Sequence, residues 1–350
     1  MSHGTGMFAV SLDFELHWGV QDQYSIAAYR DNLEGARLAI PRMLDMFVSH
    51  GIHATWAIVG CLFSSTKEDL LKTAPTHRPR YSQESLNAYR VFDSLGRNEE
   101  EDPYHYAASL IRQIGARPGQ EIASHTFSHY YCLESGQDQE TFRQDLKAAM
   151  DTASRKGYRI RSIVLPGNQW NPAYEEILCD QGFVAYRGNQ PGWMYAAVTM
   201  RRQTLLRRAA RLLDSYVNIT GHGNHTISPV ENRAIVNLPA SRFLRPVSKT
   251  LRLLEPLRRR RITTGMRLAA ETGGLYHLWW HPHNFGVGIE ANLAFLEEIL
   301  FYFAELSTEY GMRSHTMGEI ADILLCELDE RPCTHNEEVS QRQQLRHRHA

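Results

Sequence analysis

The sequence has few of the features that commit a chain to a specialised class. Its five cysteines (Cys61, Cys132, Cys179, Cys326 and Cys333) are an odd number with no Cys-x-x-Cys pair. That excludes a disulfide framework and fits free thiols in a reducing compartment. No apolar run approaches the roughly 20 residues of a membrane span. The longest candidate, from Asn292 to Tyr302, carries Glu297 and Glu298. A formal net charge of −1 argues against bulk nucleic-acid binding. There is no internal repeat and no glycine fingerprint of the kind that cradles phosphates. The stretch Met1 to Phe8 has neither a basic n-region nor a long apolar h-region, so no secretory signal is read and a cytoplasmic protein is expected. What is present is an ordinary globular composition, 43% hydrophobic and 22% charged over 350 residues, enough for one large domain or two modest ones.

Buried strand patterns alternate with helical periodicity. Strands are read at Phe8–Leu16, His53–Gly60, Glu121–Ser124, Arg159–Pro166, Phe183–Tyr186, Gly274–Trp280 and near Met312–Thr316. Helices are read at Asn32–His50, about His105–Ile114, Gln139–Lys156, from Asn171 onward, Asn292–Tyr310 and Met317–Leu328. Such alternation implies a mostly parallel sheet. About seven strands, fewer than the eight of a regular barrel, point to a distorted, incomplete (β/α) barrel, with an open doubly wound sheet as the second choice. The alternation breaks near Arg187. Residues 1–188 and 274–328 are assigned to the barrel and residues 189–273 to a helix-rich insertion. The insertion carries Arg201, Arg202, Arg207, Arg208, Arg211, Arg242, Arg245 and Arg258 to Arg261. Residues 329–350 are polar and are expected to form a disordered tail.

Three strand ends carry unusual side chains. The first is Asp13-Phe-Glu15, whose i,i+2 carboxylates share a face of an extended chain. The second is His125-Thr-Phe-Ser-His129, two imidazoles four apart, an arrangement read as one helical turn with both on one face. The third is Trp279-Trp-His-Pro-His-Asn284, where His281 and His283 leave a very apolar strand. One carboxylate with two histidines is a common set for a catalytic metal with open positions. A second carboxylate suits a general base and a separate histidine a general acid. The Pro166-Gly167 strand end offers a backbone N–H to an oxyanion. The sum is a metal hydrolase acting on an amide or ester. A second histidine pair, in Gly221-His-Gly-Asn-His225, reads as a solvated glycine-rich loop.

The order and content of these motifs resemble the polysaccharide deacetylases, the NodB-homology family also called carbohydrate esterase family 4. The resemblance covers residues 7–188 and 274–328 and is most specific at His125-Thr-Phe-Ser-His129, which matches the family's H-[S/T]-x-x-H. It implies a distorted (β/α) barrel that hydrolyses N- or O-acyl groups from sugars with a divalent metal, most often zinc. With no secretory signal read, the expected reaction is removal of an N-acyl group, acetyl or formyl, from a cytoplasmic sugar or glycan precursor, and the basic insertion would suit a phosphate carried on it. By that resemblance Asp13 is the base. Glu15, favoured over Asp13, joins His125 and His129 as the metal ligands, because Phe14 stands where the family has its ligand aspartate. Gly167 serves the oxyanion and His281 is the proton donor. The family's arginine beside its proline motif is absent from Val164-Leu-Pro-Gly167, and Arg187 is the candidate substitute. Trp279, Trp280, His283, Asn284, Arg187 and Asn168 are expected to contact substrate. Two other readings stay open: an amidohydrolase acting on a non-sugar amide such as a ureide, and a degenerate barrel that binds a glycan or anion without catalysis.

Overall fold

The computed structural model describes residues 5–227 and 235–329; residues 330–350, nearly all of the expected tail, lie outside them. The first strand, β1 (Met7–Phe14), is buried almost throughout, as a parallel strand covered on both faces must be. Helix α1 (Ile26–Ser49) starts at Ser25, whose side chain accepts from the Ala28 N–H. After β2 (Ala54–Ile58) come α2 (Lys67–Thr73) and α3 (Ala108–Gly115), then β3 (Gln120–Ser124). Helix α4 (Gln139–Arg155) opens on a capping box between Asp138 and Thr141. It leads to β4 (Ser162–Ile163), α5 (Glu175–Asp180), β5 (Ala185–Gly188) and α6 (Leu205–Asp214). Strand segments β6 (Val236–Pro239) and β7 (Arg242–Phe243) follow, then α7 (Glu255–Thr272), β8 (Leu275–Trp280), α8 (Ile289–Tyr310), β9 (Arg313–Ser314) and α9 (Met317–Asp329).

Among the described residues every pairing between these strands is parallel. The sheet runs β6-β5-β4-β3-β2-β1-β8-β7, with β9 added to the start of β1. The ends of that order, β6 and β7, belong to one run of chain: Ala240 N–H donates to Gly188 O and Ser241 N–H to His277 O. The sheet therefore curls back on itself into a distorted barrel, the expected fold class. One finding differs from the sequence reading. The stretch read as a helical insertion supplies β6 and β7, and short polar strands such as Val236-Asn-Leu-Pro239 carry no two-residue alternation long enough to read.

Side chains on the sheet's outer face, among them Phe8, Val10, Leu12 and Phe14 of β1, join the core beneath the helices. The inner face is built from small residues, Ala9, Ala57, Ala123 and Ala185, which leave room for Met317, Ile320, Ala321 and Leu324 of α9. Helix α9 thus plugs the end of the barrel where the strands begin. Its N-terminus is held by Glu121, whose Oε2 accepts from Gly318 N–H at 3.0 Å and Thr55 Oγ1 at 2.8 Å, while Oε1 accepts from Ser162 Oγ at 2.6 Å. With one end filled, chemistry is confined to the other, where the strands finish.

Glu121→Ala strands a buried N–H and two hydroxyls, so unfolding in urea should show a loss of about 3 kcal/mol. A loss below about 1 kcal/mol would mean that apolar packing alone seats the plug.

Candidate active site and metal centre

In β1 the residues Ser11 and Asp13 point into the barrel, and Glu15 follows at the strand exit. Asp13 and Glu15 are both buried but meet different partners. The Arg187 guanidinium from β5 crosses the barrel and donates to Asp13 Oδ1 and Oδ2 at 2.7 and 2.8 Å. The same guanidinium donates to Ser11 Oγ at 3.0 Å and Asn168 Oδ1 at 3.0 Å. It also lies over the Trp279 ring, 4.0 Å from its centroid. Beneath it, His277 Nε2 is 2.9 Å from Ser11 Oγ. Burial and the Arg187 charge hold His277 down at about 3, so it is neutral. For Asp13, burial disfavours the charge, but Arg187, His125 and His281 outweigh it and lower the carboxyl below its ordinary range.

Glu15 faces the histidine pair. Its Oε2 lies 3.2 Å from His125 Nε2 and 3.0 Å from His129 Nε2. One ligand atom from each of these three residues falls within 4.8 Å of the others. The absence of a side chain at Gly19 leaves room for this carboxylate: a Cβ there would sit 2.0 Å from the Glu15 carboxyl carbon and would displace it. His125 Nδ1–H donates to Val164 O at 2.8 Å, which turns Nε2 toward Glu15, the orientation a metal ligand needs. Two imidazole nitrogens converging on one buried carboxylate oxygen fit a divalent cation in donor type and number. His281, His125 and His129 hold Glu15 well below its ordinary range although burial opposes this.

The i,i+4 histidines are not on a helical turn, as the spacing suggested. They sit on a loop in which Thr126 and His129 both take left-handed φ values, 62° and 57°. Two devices hold that shape. Asp145, buried in α4, accepts from Phe127 N–H at 2.7 Å, from Ser128 N–H at 3.2 Å and from the Ser128 hydroxyl. Thr126 Oγ1 accepts from Tyr130 N–H at 2.7 Å. Burial raises the Asp145 carboxyl to about 6.

From β8, His281 Nε2 lies 3.6 Å from both Asp13 Oδ2 and Glu15 Oε1. His283 is buried and stacks on His281, ring centroids 5.1 Å apart, with Nε2 3.9 Å from Glu15 Oε1. Burial and the neighbouring His281 push His283 down to about 3. Asn284 reaches His281 Nδ1 at 3.3 Å rather than open space. Beside this cluster is a cavity of about 280 Å³, lined by Asp13, Gly167, Asn168, Trp279 and His281 among others. Gly167 takes a left-handed φ of 62°.

The structure therefore brings together Asp13, Glu15, His125, His129, Arg187, Asn168, Gly167, Trp279, His281 and His283. Trp280 is elsewhere. Strand alternation turns it outward, where it is fully buried against Phe285 and Phe47, so it is a core residue and not a wall of the pocket. His222 and His225 do not converge: His225 Nε2 contacts Ala240 O and His222 Nε2 contacts Asn218. The sequence reading missed Ser11, His277, Gly19 and Asp145. Only Asp145 left a signal, an acid on the apolar face of α4 between Phe142 and Leu146.

No family model matches the chain, and no curated protein sequence matches it. Solved structures do match. A candidate polysaccharide deacetylase from Mycobacterium smegmatis is 16% identical over 93% of each chain, with a TM-score of 0.57. The PuuE allantoinase is 13% identical over 90% of this chain and 89% of its own, with a TM-score of 0.53. A candidate polysaccharide deacetylase from Pseudomonas aeruginosa PAO1 is 11% identical over 90% and 89%, with a TM-score of 0.51. At these identities the likeness establishes a shared fold.

His125→Ala and His129→Ala should each abolish binding of the roughly one divalent metal ion per chain that this site would hold, measured by atomic emission; full metal content in both variants would place the metal elsewhere. Trp280→Ala should cost about 3–5 kcal/mol in unfolding while metal content stays unchanged.

Proposed function

We propose that the chain is a metal-dependent hydrolase that cleaves the amide of an N-acylated sugar or glycan precursor, releasing acetate or formate and a free amine. The observation that carries this reading is the division of labour between two buried carboxylates two residues apart. Glu15 is given to the imidazole pair, and Asp13 is reserved by Arg187 next to a cavity. Glu15, His125 and His129 would hold a divalent cation, which would supply Lewis acidity toward an acyl oxygen and acidity to water.

The chain's own residues do the rest. Asp13 takes a proton from the attacking water as the water oxygen bonds to the acyl carbon. Arg187, itself fixed by Ser11 and Asn168, holds the Asp13 carboxylate in place and leaves lone pairs facing the cavity. His281 then protonates the leaving nitrogen as the C–N bond breaks. The Gly167 backbone lies at the cavity wall, where an N–H would meet charge developing on the acyl oxygen. Trp279 offers a flat apolar wall to a sugar ring, and its own position is fixed by the guanidinium stacked on it. His283, buried beneath His281, braces that ring and is not the donor.

The zinc-loaded protein should release acetate or formate from a panel of N-acyl sugars, N-acyl sugar phosphates and N-acetyl glycans. Asp13→Asn and His281→Ala should each lower turnover about 10²–10⁴-fold with zinc retained, and His283→Ala should cost much less. A chain that hydrolyses only ureides, or that binds glycans with zinc bound and no turnover, would replace this reading with one of the two alternatives.

A further inference from the structure

The cavity beside Asp13 and His281 continues away from them to a wall formed by Arg211, Arg242 and Arg245. These cations are not equivalent. Arg242 and Arg261 both pair with Asp214, at 2.5 and 3.2 Å, and Arg258 pairs with Glu255. Arg211 donates to Met194 O and Gln203 Oε1 at 3.0 and 2.9 Å, and Arg245 donates to Ser215 Oγ at 3.0 Å. Among the described residues neither Arg211 nor Arg245 has a carboxylate within ion-pair distance. Two half-buried guanidiniums without a counter-charge are costly next to each other. Their forks suit a group with several anionic oxygens.

We propose that this end of the cavity binds a phosphoryl group of the substrate, which makes the substrate an acylated sugar phosphate and not a neutral glycan. This rests on the hydrolase reading for the position of the sugar, and binding tests it separately from turnover. With zinc-loaded His281→Ala protein, N-acetylglucosamine 1-phosphate should bind at least about tenfold more tightly than N-acetylglucosamine by calorimetry. Arg211→Gln with Arg245→Gln should erase the difference at an unchanged thermal midpoint, and Arg245→Lys should keep part of it. Equal binding of the two sugars overturns the subsite, as does a difference that survives the double substitution. Acetate release from neutral N-acetyl glycans by the unmodified protein would at the same time leave the hydrolase reading standing.

A second observation stands apart from the cavity. Helix α6 is turned inside out. Its charged side faces the protein, with Asp214 fully buried and Arg211 half-buried. Its apolar stripe, Leu205, Leu206, Ala209, Leu212 and Leu213, faces solvent, with Leu205 82% and Leu206 71% exposed. Trp193, Val217 and Ile219 nearby in sequence are also exposed. Exposed Arg201, Arg202 and Arg208 flank the stripe, and no acidic residue occurs between Asp180 and Asp214. A second copy of the chain would bring like charges together on this face. An anionic lipid surface offers both an apolar layer and opposite charge. The geometry points to α6 as a docking element for an anionic bilayer surface.

The full chain should co-sediment with vesicles of phosphatidylcholine and phosphatidylglycerol, and not with phosphatidylcholine alone. Leu205→Glu with Leu206→Glu should cut binding more than about tenfold. These side chains are exposed, so the fold should be unaffected. Protein that stays in the supernatant overturns the proposal, as does a doubly substituted protein that still binds. A concentration-dependent dimer broken by the same substitutions would also overturn it, and would assign the face to a second copy.

Discussion

The Asp13–Arg187 ion pair sets the terms for the rest of the site. Two carboxylates leave the same strand end and both are buried, and two uncompensated charges in such a place would not both ionise. A guanidinium that reaches across the barrel from β5 neutralises one of them through two hydrogen bonds. This leaves Glu15 as the single carboxylate available to the imidazole pair. Without Arg187 the two acids would share a proton or compete for one cation. The arrangement also requires the polar column below it. Ser11 and neutral His277 give the guanidinium acceptors and neighbours that an alanine-lined barrel could not.

The geometry of the histidine pair depends on another buried acid, Asp145, that never touches the site. A five-residue loop with two left-handed residues is not a low-energy default. Asp145 accepts the two N–H groups that this loop leaves without partners in a helix or strand. Gly60 allows the loop to come close, because a Cβ there would meet the Phe127 Cα at 2.8 Å. The histidines are therefore positioned by backbone capture from α4 and not by helical geometry, although the outcome, two rings with centroids 5.1 Å apart, is what the spacing implied.

How far the sequence was readable follows from this. The long buried strands and periodic helices were legible because apolar pattern reports burial directly, and the acid and histidine positions were legible because charged groups at strand exits are costly without a purpose. What was not legible depends on contacts across the barrel. Arg187 was only a candidate for Asp13's partner, since nothing local links residues 174 apart. Strands β6 and β7 were hidden in a stretch whose arginines dominate its pattern. Trp280 was misassigned because Trp279 and Trp280 look alike in a list of residues, while a strand sends them to opposite faces.

The arginine-rich stretch becomes intelligible through one carboxylate. Asp214 accepts from Tyr195 OH, Thr220 Oγ1, the N–H groups of Ile219 and Thr220, and both Arg242 and Arg261. So many donors hold Asp214 far below its ordinary range despite burial. They also fix the rotation of the helix that ends on it. A helix whose last residue is drawn inward must point the opposite stripe outward, and in α6 that stripe is leucine. The same rotation carries Arg211, one turn earlier, to the cavity wall. An unpaired cation inside and an uncovered apolar face outside are thus two consequences of burying Asp214.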